Sequence, residues 1–176
     1  MRRVLLATAG LLLFALAFAA RANVFMTQQQ ALASAFPAGA TVTRQAIFLK
    51  PEQLAAARKS SGVEFKDQMI VRYTGTANGR VLGYAYFDTH LVRTLAETVM
   101  VLVTPDGKVD HIEILSFSEP QDYLPKERWM DQFEGKKLDD DLSLKRSIRP
   151  ISGASLSGRA IVNATRKILA LHQVIK

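Results

Sequence analysis

The chain is 176 residues long, contains no cysteine and carries a formal net charge of +7 at neutral pH. That length suits one domain with a true core, and the lack of cysteine excludes disulfide redox chemistry, thiolate nucleophiles, cysteine-ligated haem and iron–sulfur clusters. The basic residues are scattered and form no Lys/Arg run interleaved with aromatics, so a nucleic-acid partner is not indicated.

Met1-Arg2-Arg3 is a short positive segment, residues 4–20 are uninterruptedly apolar, and Ala20-Arg21-Ala22 is a small-x-small cleavage site. This pattern predicts a secretory signal peptide over residues 1–22, cut after Ala22. A retained anchor is the alternative, because an apolar run of about 17 residues sits at the lower limit for crossing a hydrocarbon core. In a Gram-negative host either reading puts the remainder in the periplasm or on the outer face of the inner membrane. Arg2, Arg3 and Arg21 are three of the 23 basic residues, which leaves 20 against 16 acidic ones after cleavage, a net +4.

Residues 23–176 read as one domain. Thr27 with Gln30 is a capping-box pair that opens a helix over 28–35, and Phe36-Pro37-Ala38-Gly39 stops it. Residues 41–49 suit a short strand. Lys50-Pro51-Glu52 starts a second helix reaching about Lys59, and Ser60-Ser61-Gly62 ends it. Residues 69–73 form a β-rich run, Asn78-Gly79 is a turn, and residues 80–87 follow as a strand. In that strand Leu82, Tyr84 and Tyr86 share one face, while Val81, Gly83, Ala85 and Phe87 share the other. Both faces look covered, as in a central strand.

Residues 98–103 and 108–117 flank Thr104-Pro105-Asp106-Gly107, a hairpin with Pro and Gly where a turn needs them. The apolar alternation in its second strand slips by one residue, which predicts a bulge or a covered edge. Residues 118–125 are irregular. A short helix with Trp129, Met130 and Phe133 on its apolar side ends at Gly135. Residues 136–150 form a charged connection whose Asp139-Asp140-Asp141 reads as solvated loop rather than a cation cage. Ile161, Ala164, Ile168 and Leu171, with Thr165 and Leu169, give the clearest helical period, with Asn163, Arg166 and Lys167 outward. The fold class is α+β: an antiparallel sheet with helices packed on it.

The segment Ser152-Gly153-Ala154-Ser155-Leu156-Ser157 places small and hydroxyl residues at the start of that last helix. Unpaired N–H groups and a partial positive charge there suit an anion, and Gly153 with Ala154 allows close approach. Arg149 and Arg159 add charge. On the residues alone, ordinary helix capping is the simpler reading.

This segment resembles the Ser-Gly-Ala-Thr-x-Thr/Ser signature of the FMN-binding domain of RnfG and NqrC proteins, and of small exported flavoproteins. The resemblance extends to the Thr104–Asp110 hairpin, Glu119-Pro120, Trp129–Gly135 with Lys136, and Gly83-Tyr84-Ala85, over about residues 70–171. It implies FMN as cofactor, joined by a flavin transferase through a phosphoester to the hydroxyl of Ser155, with Ser152, Gly153, Ala154, Leu156 and Ser157 as its cradle. The family acceptor is usually Thr, and a serine hydroxyl supports the same bond. Arg149 stands where many members carry Asp, and can pair with the phosphate.

The resemblance further implies an exported electron carrier whose partners are that transferase and membrane or periplasmic redox proteins. A tether keeps a cofactor that the cytoplasmic pool does not readily replace, and no Gly-x-Gly-x-x-Gly follows a strand to hold a nicotinamide. The alternatives are a non-covalent FMN-dependent reductase and a flavin-free envelope binding or assembly module. By the same resemblance Glu119 accepts a hydrogen bond from the flavin, against a plain loop carboxylate facing water. Tyr123 and Trp129 are candidates for ring packing or for core, and Thr98 lies on a strand that can face the ligand. His90, His111 and His172 lack metal-ligand spacing and receive no role. No catalytic residue or metal ligand is assigned.

Overall fold

The computed structural model describes residues 23–175. The leader expected over residues 1–22, with its cleavage site, lies outside the described residues. The elements run β1 (Asn23–Val24), α1 (Gln28–Ala35), β2 (Thr41–Phe48), α2 (Pro51–Ser61), β3 (Met69–Ala77), β4 (Arg80–Leu91), β5 (Ala96–Val103), β6 (Val109–Phe117), α3 (Glu127–Met130) and α4 (Ser155–Val174). The described strands form one antiparallel sheet in the order β1-β6-β5-β4-β3-β2.

Local chemistry explains most boundaries. Thr27 and Gln30 exchange the expected capping-box bonds. Lys50-Pro51 begins α2, which runs two residues beyond Lys59 before Gly62 closes it in the left-handed region at φ +65°. Asn78 and Gly79, at φ +51° and +72°, turn the chain from β3 into β4. The slipped alternation in β6 is bulged: Thr98 faces Ser116 while Val99 faces Ile114, leaving Leu115 extra, and Asp110 is extra in the same way.

The strict alternation expected in β4 needs correction. Gly75 pairs with Gly83 but Thr76 pairs with Val81, so Leu82 bulges and both Val81 and Leu82 are 38% exposed. From Gly83 onward the two faces alternate as expected, with both covered through Asp88.

The sheet carries an apolar cluster on each face. α4 and α2 pack Ile161, Ile168, Leu171 and Ala57 against Tyr86, Val99, Val101 and Val103. On the other face α1 and Phe36 cover Ala85, Met100, Leu102 and Leu115. A Cβ on Gly75 would overlap the Phe36 ring, so this close approach requires glycine.

Arg166 and Lys167, expected to face outward, are tied down. Arg166 donates to the carbonyls of Ser61, Asp139 and Leu142 at 2.6, 2.7 and 3.0 Å. Lys167 bridges Asp67 and Asp88 at 2.6 and 2.8 Å, where the β3–β4 pairing has ended. Long stems let both heads reach sideways from the helix to α2, the sheet and the 136–150 connection. That connection is also better anchored than its charge suggests, since Leu142 and Ile148 are fully buried. Within it Asp139 accepts from the N–H groups of Asp141 and Leu142, both at 3.0 Å.

Candidate functional site

The last helix starts at Ser155, and its start lacks a conventional cap. Ala154 holds the N-cap position at φ −125° and ψ +40°, with no side chain accepting a first-turn N–H. Ordinary capping by Ser152 or its neighbours, the simpler reading of the residues, is therefore not what forms. Gly153 turns the chain at φ +80°, which a side chain would strain. The first amide to bond back is Gly158, to the Ala154 carbonyl at 3.1 Å. Among the described residues the N–H groups of Ser155, Leu156 and Ser157 have no partner. They carry the positive end of a 20-residue helix.

Side-chain exposure sorts the segment. Ser155 is exposed and Leu156 is 45% exposed, whereas Ser157 is 1% exposed and packs inward. Ser152, Gly153, Arg149 and Arg159 are exposed, and Ala154 is buried. Of the hydroxyls on the helix's first turn, that of Ser155 is the one offered to solvent beside the unpaired amides.

A clamp upstream fixes this turn. The Trp129 indole N–H donates to the Arg149 carbonyl at 2.7 Å, and the Arg149 N–H donates to Gln132 Oε1 at 2.9 Å. Trp129 stacks edge-on with Phe133 at 5.4 Å. Its six-membered ring lies against α4, where a Cβ on Gly158 would sit 3.4 Å from it. That is ordinary van der Waals distance, so Trp129 packs as a wall between α3 and the first turns of α4.

The remaining candidates are committed elsewhere. Glu119 is 6% exposed rather than water-facing, and its Oε1 accepts the N–H groups of Arg93, Thr94 and Leu95 at 3.2, 2.9 and 3.1 Å. These hydrogen bonds, that from Thr94 foremost, hold its carboxyl below the usual carboxylate range. Glu119 therefore organises the β4–β5 loop. Tyr123 lies under the Arg93 guanidinium at 5.6 Å. Thr98 pairs its hydroxyl with Thr89 across β4 and β5 at 3.0 Å.

Sequence reasoning missed a polar cluster on the α4 face of the sheet. His90 sits between Asp88 and Glu97 at 3.0 and 2.9 Å, and Asp88 also takes Lys167. Burial opposes a charged His90, but its two carboxylate partners outweigh that and raise it to about 9. Burial likewise opposes ionisation of Asp88, yet His90 and Lys167 hold it below its ordinary value. Glu97 is raised, because its burial is complete and exceeds what His90 returns. The i, i+2 spacing of Asp88 and His90 was the available signal, since it puts both on one face of a strand. His172, dispersed in sequence, is buried in α4 with its Nδ1 2.7 Å from the Tyr86 hydroxyl.

Residues 96–170 match the family model described as FMN-binding domain. The matched span runs from β5 into α4 and includes the Ser152–Ser157 turn, Trp129 and Glu119. A curated relative is a component of the Na(+)-translocating ferredoxin:NAD(+) oxidoreductase complex of Acetobacterium woodii. It is 26% identical over 124 residues, covering 64% of this chain and 59% of the relative. The chain thus spans about three-fifths of that relative's length. Residues 96–170 are thus similar to the FMN-binding domain, and the chain is similar over 124 residues to that relative. Among the described residues, no helix is long and apolar enough to cross a membrane.

Proposed function

We propose that this chain, whose residues 96–170 match the FMN-binding domain, is an exported electron carrier holding FMN by a phosphoester to Ser155. The observation that carries the reading is the exposed Ser155 hydroxyl on an uncapped helix start, inside the matched span. The donor set suits a phosphate. Three unpaired backbone N–H groups converge on the first turn, Gly153 keeps the approach open, and Arg149 and Arg159 stand nearby in the chain. In the transferase step Ser155 Oγ gives up its proton and bonds to the FMN phosphorus of an activated flavin phosphoanhydride. The P–O–P bond breaks and the other phosphate departs with its substituent, leaving a monoanionic diester at the positive end of α4.

FMN, when bound, supplies the one- and two-electron chemistry. The chain's own residues anchor the phosphate, and Trp129 with Gln132 fixes the approach to the turn through the Arg149 backbone. Glu119 orders the β4–β5 loop. The relative belongs to a ferredoxin:NAD(+) oxidoreductase complex by name. That supports a membrane redox assembly as the functional partner, and the phosphoester reading itself requires a flavin transferase for maturation.

The test is co-expression of the full chain with a flavin transferase, followed by denaturation and gel separation. Flavin fluorescence should travel with the wild-type band and with Ser155→Thr, and be absent from Ser155→Ala. Yellow colour released entirely on denaturation would instead indicate non-covalent FMN. A colourless protein from its own host, saturated with FMN, would indicate a flavin-free module.

A further inference from the structure

We propose that the cleft lined by Lys126, Arg128, Trp129, Gln132, Lys136 and Arg149 docks a carboxylate-rich face of the redox protein that exchanges electrons with this chain. This rests on the electron-carrier reading above and names the partner chemistry of the same site. The cleft is open and offers about 660 Å³, with Ser147 and Pro150 completing it, and no acidic side chain lines it. One wall comes from α3 and the turn after it, the other from the segment leading into α4.

Four cations gather in this one cleft with no carboxylate among its lining residues. Among the described residues none of Lys126, Arg128, Lys136 and Arg149 makes an ion pair or donates a side-chain hydrogen bond. An unpaired four-cation cleft attracts anions, and its field is focused by the apolar Trp129 wall.

Shape selects the occupant. A lone phosphate would need donors converging within hydrogen-bond reach, whereas these charges are spread along α3, the turn after it and the segment before α4 around an open cleft. A planar lipid surface would reach only the rim. A convex acidic protein face meets all four charges together, the weak, steered encounter that electron exchange employs. Position adds the functional link: the Trp129 ring that lines the cleft also lies against Gly158 in the first turns of α4. A partner seated there is one indole from the helix start that carries Ser155.

Trp129 is the sole tryptophan of the chain, so its indole N–H gives a single, assignable NMR signal. The experiment titrates ¹⁵N-labelled full-length chain with a decaglutamate peptide at low salt, as flavinylated protein and as Ser155→Ala. We expect saturable shifts of the indole and of backbone signals around residues 126–136 and 147–150 in both forms. Affinity should fall roughly tenfold or more when salt is raised several-fold through the Debye regime. It should also fall at least fivefold in Lys126→Glu/Arg128→Glu but not in Arg80→Glu, an exposed cation at the β3–β4 turn.

Absence of saturable shifts would overturn the proposal, as would equal weakening by Arg80→Glu. Binding restricted to phosphatidylglycerol vesicles would reassign the cleft to a membrane. Peptide binding seen in Ser155→Ala but lost on flavinylation would reassign it to the flavin itself. Because Ser155→Ala carries no tether, docking and flavin attachment fail independently of one another.

Discussion

Gly75 and Ser155 show how differently single positions are constrained. Any side chain at Gly75 meets the ring of Phe36, a buried residue with no room to retreat. Gly75→Ala is therefore expected to cost about 1–3 kcal/mol through overpacking, measurable as a lower urea midpoint at unchanged slope. Ser155 is exposed and makes no side-chain bond among the described residues. Ser155→Ala should change unfolding free energy by less than about 0.5 kcal/mol, while removing the flavin. A large stability loss in that variant would mean that Ser155 serves the fold. Glu119 marks the limit of reading at this scale: its place in the chain was evident, but three backbone partners some 25 residues away were not.

At the scale of elements, the 136–150 connection and the His90 cluster make the strongest claims. Fully buried Leu142 and Ile148 pin the connection beneath α4, where Arg166 also grips it. Leu142→Ala should cost about 2–5 kcal/mol, seen in thermal or urea unfolding, whereas a solvated loop would tolerate it. Across β4, β5 and α4, His90 has a folded pKa of about 9, above its ordinary value. Its contribution is therefore complete below about pH 6.5 and is lost as pH rises through about 9. Deprotonation also leaves the buried Glu97 without its cation.

We expect the unfolding free energy to decline by roughly 3 kcal/mol on this alkaline limb, and His90→Gln to flatten it. Asp88, held below its ordinary value, gives the opposite limb, with stability lost as pH falls below the normal carboxylate range. A pH profile identical in wild type and His90→Gln would contradict the assignment. Helix and strand periodicity made nearly every element legible, because caps, prolines and glycines act locally. The cluster was not legible, because Lys167 reaches it from α4, far along the chain, and Glu97 joins it only through the β4–β5 register.

For the molecule as a whole, the fold class was readable as one antiparallel sheet with helices on each face, and so was the place of the hydroxyl-bearing turn, proposed as the anchor, that opens the last helix. What sequence could not supply was exposure. Only folding separates Ser155, turned to solvent, from Ser157, turned into the core, and only folding gathers four unpaired cations behind Trp129. The central claim is a covalent bond at one oxygen, and mass spectrometry reads it directly. Protein from its own host, denatured and digested, should yield the Ser155 peptide heavier by FMN less one water, with no such peptide from Ser155→Ala. An unmodified Ser155 peptide from protein matured beside an active flavin transferase would contradict phosphoester attachment at this residue.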